Sequence, residues 1–106
     1  MEITFEKEYL RELYELGKTT DRKYRFQPQI IAKYRKTIDL LESVASTEDL
    51  YRFNALSYET LKGNKKGIES VRVNDQYRIE FTTTEVSSET IVITICNIIE
   101  LSNHYK

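Results

Sequence analysis

Residues 70–83 read SVRVNDQYRIEFTT, and the fold is decided here. Apolar and polar residues alternate on both sides of Asn74-Asp75-Gln76, which is the period of a strand and not of a helix. The two halves form a hairpin across that tight connection. Core-facing residues must stay together, because a slip of one residue would turn the whole face to water. Pairing Val73 with Tyr77 and Val71 with Ile79 meets this demand. The same register sets Arg72 opposite Arg78 on the other face. Like charges so placed destabilise a sheet by roughly 0.2–1 kcal/mol, which a wet or anion-holding face tolerates best. Two readings stay open: an anion site, or a pair neutralised by Glu80, two residues from Arg78 on the same face.

Working outward, residues 90–99 give a third strand, TIVITICNII. Ile91, Ile93 and Ile95 lie on one of its faces and Val92, Cys96 and Ile98 on the other, which predicts a central position. Residues 84–89 connect it to the strand before. Upstream, residues 54–67 (NALSYETLKGNKKG) hold two of the three glycines and read as an irregular loop. Ser46 to Asp49 predict a short helical turn ending near Arg52. Before that the period is helical. Tyr9, Leu10, Leu13, Tyr14 and Leu16 form one stripe over residues 6–16, stopped by Gly17. Ile30, Ile31, Tyr34, Ile38, Leu41 and Ala45 form another, with Pro28 in its first turn. Glu2–Phe5 reads as a short strand. The sum is an α+β domain spanning residues 1–106, with two N-terminal helices packed on a small antiparallel sheet.

Composition narrows the function. The 106 residues suit one domain with one modest core. No run approaches the roughly 18 apolar residues of a membrane span, and the acidic start MEITFEKEYL lacks a secretory h-region. Cys96 is the single cysteine and His104 the single histidine, so neither a disulfide nor a zinc ligand set arises. A lone cysteine inside IVITICNII reads as a small core hydrophobe, and a cytoplasmic protein is expected. No glycine-rich phosphate loop follows a strand, so no cofactor is expected.

The net charge is −1, yet its distribution is uneven. Residues 22–36 carry six basic groups and no acid. Residues 62–78 carry Lys62, Lys65, Lys66, Arg72 and Arg78 against Glu69 and Asp75. The compensating acids lie mainly at 1–15 and 39–59. Segregation of this kind makes a basic face on a nearly neutral protein; a solvated helix face would give the 22–36 run the same composition.

The string LKGNKKGIESVRVNDQYRIEF, Leu61 to Phe81, resembles the HigB branch of the RelE/ParE toxin superfamily. The shared pattern is Leu-Lys-Gly, a basic stretch, Gly, a Ser-Ile-Arg-Val-Asn-like run, then an aromatic-Arg-Ile and Phe. A strand running into a histidine near the C-terminus is also shared, and the likeness covers residues 50–106. It implies the RelE-like fold and cleavage of mRNA, commonly on the ribosome and without a metal. It also implies a partner antitoxin with a helix-turn-helix domain, through which any contact with DNA is indirect. Arg78 matches the catalytic arginine, Lys62 the lysine of Leu-Lys-Gly and His104 the terminal histidine. Glu59 stands where many relatives carry a histidine, a departure that bears on the general base.

Such chemistry needs a base for the 2′-OH proton, cations for the phosphate charge and an acid for the leaving 5′-oxygen. The resemblance assigns Glu59 as candidate base, Arg78 with Arg72 as phosphate clamp, and His104 as candidate acid. Lys62, Lys65 and Lys66 would meet flanking phosphates. Tyr77 and Tyr105 would stack on bases, although Tyr77 fits core packing equally. The competing function is a module that binds without cutting, as in the gyrase-inhibiting ParE branch, or a degenerate toxin that only holds its antitoxin.

Overall fold

A computed structural model describes residues 1–103. The alternating and helical stretches become strand β1 (Glu2–Phe5), helices α1 (Glu8–Leu16) and α2 (Pro28–Ser43), and strands β2 (Glu59–Thr60), β3 (Glu69–Arg72), β4 (Tyr77–Ser87) and β5 (Val92–Asn103). Short 3₁₀ turns at Thr47–Arg52, Asn54–Leu56 and Gly63–Lys65 fill the connection between α2 and β3. The strands form one sheet in the order β1-β5-β4-β3-β2. The α+β class is as expected; β5 lies inside the sheet between β1 and β4, and β4 is the middle strand.

Local chemistry explains the helix ends. Gly17 adopts φ 74°, a left-handed conformation, and its N–H donates to the Leu13 carbonyl, closing α1. Pro28 opens α2, where its missing N–H leaves no bond unmade. Most of each stripe is buried, while Tyr14 and Ile31 are half-buried and Leu16, at the end of α1, and Ala45, just past α2, are exposed. Tyr9, Leu10 and Leu13 of α1 meet Ile30, Tyr34, Ile38 and Leu41 of α2 over Val71, Ile79, Phe81, Cys96, Ile98 and Leu101 of the sheet. The Tyr34 hydroxyl, fully buried, donates to the Leu10 carbonyl at 2.8 Å and ties the two helices together. Cys96 is also fully buried, and desolvation pushes its thiol up to about 12, so it acts as a core hydrophobe.

Three expectations are refined. The sheet is not wholly antiparallel, because β1 pairs with β5 in parallel, Glu2 with Ile95 through Phe5 with Ile98. The connection 54–67 is not all irregular, because Glu59 and Thr60 pair with Ser70 and Glu69 as an edge strand. The β4–β5 ladder runs further at both ends than periodicity suggests, from Tyr77 opposite Asn103 to Ser87 opposite Val92, with an irregularity at Glu80/Phe81. Beyond the reach of β1 and β3 this ladder stands as a two-stranded arm. Val86, Ile91, Val92 and Ile93 are exposed on it, so the start of β5 is not buried on both faces.

Candidate active site

The hairpin register is the expected one. Val71 pairs with Ile79 and Arg72 with Arg78. Val71, Val73, Ile79 and Phe81 all point into the core, which turns both arginines to the other face. On that face a second row crosses three strands, Glu59 of β2 beside Ser70 of β3 beside Glu80 of β4.

Arg78 is only 9% exposed, and its guanidinium is fixed from several sides. Nε donates to the Ser70 hydroxyl at 2.9 Å. Nη2 donates to the Ser57 carbonyl at 2.6 Å and, more weakly, to the Ser70 carbonyl at 3.4 Å. The Glu59 carboxylate lies 3.6 Å from Nη2. Among the described residues, Nη1 makes no hydrogen bond. Ser57, whose carbonyl Arg78 holds, has φ 43° and is the single non-glycine residue in the left-handed region among those described. The arginine therefore also pins the turn that leads into β2.

The carboxylate facing Arg78 is Glu59 and not Glu80. Glu80 is buried and accepts instead from Lys65 Nζ at 2.8 Å. Arg72 pairs with Asp75 at the hairpin tip. Each arginine of the cross-strand pair thus has its own acid, which is how the sheet tolerates two like charges side by side. Lys62 and Lys66 are exposed and have no acidic partner among the described residues. Nearby, Glu69 accepts from the Tyr58 hydroxyl at 2.5 Å and from Thr83 at 2.6 Å. Burial and this contact raise the Tyr58 hydroxyl far above its usual range, so it stays a neutral donor.

The structure thus brings together Glu59, Arg72, Arg78 and the loop of Lys62, Lys65 and Lys66. The ring of Tyr77, at the start of β4, takes part in core packing. That ring is half-buried and packs edge-on against Phe26, centroids 5.5 Å apart, as core packing requires. His104 and Tyr105 lie outside the described residues. Sequence reasoning missed Ser70 and Ser57, the groups that orient Arg78. The signal for Ser70 was present, since the register that faces Arg72 and Arg78 outward also faces Ser70 outward. The Ser57 carbonyl is a backbone group in an aperiodic stretch and left no trace.

Chemically, the site offers a rigid guanidinium whose Nη1 edge is unused among the described residues, a carboxylate beside it and exposed lysines on the adjoining loop. That is an anion-binding arrangement with a proton acceptor at hand. Its sequence context is specific. The family model for RelE-like toxins of the type II toxin-antitoxin system HigB matches residues 3–93. The chain belongs to the HigB-like toxin family. It is therefore a toxin of a type II toxin-antitoxin system. Toxin HigB-1 of Vibrio cholerae serotype O1 is 35% identical to this HigB-like toxin over 83 residues, covering 76% of this chain and 82% of the relative. In fold, it is similar to a YoeB/ParE toxin from Agrobacterium tumefaciens, with a TM-score of 0.54 at 19% identity, covering 99% of this chain and all of the other. Among the described residues of the HigB-like toxin, no helix is long and apolar enough to cross a membrane.

Proposed function

We propose that this toxin is an endoribonuclease that cuts mRNA on the translating ribosome and is held in check by a helix-turn-helix antitoxin. The observation that carries this reading is the buried, oriented Arg78, its Nη1 edge unused among the described residues, beside Glu59 on a face fringed by lysines. RNA brings its own nucleophile, the 2′-OH. Glu59 takes that proton as the 2′-oxygen bonds to phosphorus. Arg78 receives the charge that builds on the non-bridging oxygens. The P–O5′ bond then breaks and the 5′-oxygen takes a proton from an acid, the role the family pattern gives to His104. Lys62 and Lys66 hold flanking phosphates, and Arg72 joins the clamp when a phosphate displaces Asp75 from it.

Induced expression without an antitoxin is expected to arrest growth, with mRNAs shortened at defined sites seen by primer extension. Arrest with intact mRNA and altered DNA supercoiling would point instead to a gyrase-directed binding module. Affinity for ribosomes or single-stranded RNA is expected to fall steeply as salt rises, although the chain's net charge is −1. A salt-independent affinity, read in a filter-binding titration, would rule out the lysine fringe as the docking surface.

A further inference from the structure

One cavity, lined by none of Arg78, Glu59 and Glu80, has a volume of ≈ 320 Å³. It opens where Lys33, Lys36 and Leu40 of α2 face Phe53 and Leu56 of the turn region and Arg72 at the end of β3. The size is at the lower end of ligand pockets, roughly 300–1,000 Å³, and leaves room for a bulky apolar side chain. Leu40, Phe53 and Leu56 give it an apolar wall, while the rim is cationic and no acid contributes to the lining among the described residues. Asp75 offsets the charge of Arg72. Lys33 and Lys36 have no acidic partner among the described residues, so the free positive charge sits on the α2 side.

An apolar wall with a cationic rim is complementary to an apolar group flanked by carboxylates. A bare phosphate would satisfy the rim and leave the wall unfilled. A nucleobase would need a flat ring open on one face. Among the described residues Phe53 is the one aromatic ring in the lining; it is half-buried, and the Arg52 guanidinium lies 6.0 Å from its centroid. We propose that this cavity takes the apolar anchor of an acidic segment from a partner protein, with Lys33 and Lys36 receiving the flanking carboxylates. This is docking of an amphipathic segment into a groove, with charge setting its direction. It is independent of whether the toxin cuts RNA.

The test is selection of short random peptides on phage against the full chain, followed by fluorescence anisotropy with the synthesised winners. The expected winners carry carboxylates on both sides of a leucine or an aromatic residue. Lys33→Glu/Lys36→Glu and the pocket-filling Ala55→Trp should each weaken them about tenfold or more, a loss of about 1.4 kcal/mol. Exchanging the peptide's anchor for serine, or its acids for amides, should do the same with the wild-type protein, so the result stands even if a protein variant misfolds. Failure to enrich any peptide overturns the proposal. So do winners without acids, or binding indifferent to all these changes. An unstructured RNA that competes with the peptide and shows the same sensitivity to Ala55→Trp makes the cavity an RNA surface and overturns it too. No cleavage is measured, so an inactive nuclease would leave the outcome readable.

Discussion

Arg78→Ala is expected to lose about 100–1,000-fold in the rate of mRNA cleavage, the usual cost of removing one preorganised charge contact from a transition state. Two effects add. The guanidinium edge that would meet the phosphate disappears. The Ser57 carbonyl and the Glu59 carboxylate also lose the group that positions them. Because Arg78 is buried, its removal costs stability as well, about 1–3 kcal/mol for the polar groups left unpaired. Val71, Ile79 and Phe81 on the opposite face keep the hairpin in the core, so the variant should still fold. Arg78→Lys separates charge from geometry. It restores the cation, but an ammonium has no planar fork to span Ser57 and Ser70 together, and little activity should return. Primer extension on translating ribosomes gives the rate, and circular dichroism verifies the fold. A folded Arg78→Ala protein that cuts at the wild-type rate would mean that the assigned site is wrong.

The second large effect concerns the core. Tyr34→Ala should destabilise the fold by about 3–5 kcal/mol, as expected when a fully buried aromatic ring becomes a cavity. Tyr34→Phe keeps the ring and removes only the hydroxyl's bond to the Leu10 carbonyl, so about 0.5–1.5 kcal/mol is expected. Against a total stability of about 5–15 kcal/mol for a domain of this kind, the first change removes a large share and the second a small one. Urea denaturation followed by circular dichroism measures both. Equal losses in the two variants would mean that the ring contributes little and the helix pair is held mainly by the hydrogen bond.

The hairpin and the two helices were legible in the sequence because each buries one face, and burial writes its period into the residue order. Val71, Val73, Ile79 and Phe81 set the register that places Arg72 across from Arg78. The length of the arm was hidden for the converse reason. Residues 84–87 are exposed on both faces of a two-stranded ribbon, so burial imposes no alternation that marks them as strand. Edge strand β2 was hidden because two residues are too few for a period. The parallel direction of β1 depends on a partner far along the chain, and no local signal carries it. In the candidate site, Arg72, Arg78 and Lys62 were singled out by position and pattern, and the fold places them in the β2–β4 region. Of the two readings left open for Arg78, neutralisation by Glu80 does not hold, because Glu80 accepts from Lys65 while the β2–β3 pairing brings Glu59 near.

The parallel pairing of β1 with β5 sets an order of events during synthesis. β1 leaves the ribosome first, yet its neighbour in the sheet is the strand made after all the others described. Translation at about 5–20 residues per second keeps β1 waiting for seconds with its edge unmatched. The candidate active site draws on β2, β3 and β4, and β4 is supported along its whole length by β5. A nascent chain therefore holds the residues of the site before it holds the platform that aligns them. The site is aligned only once β5, the last of the described strands to be made, has joined β4.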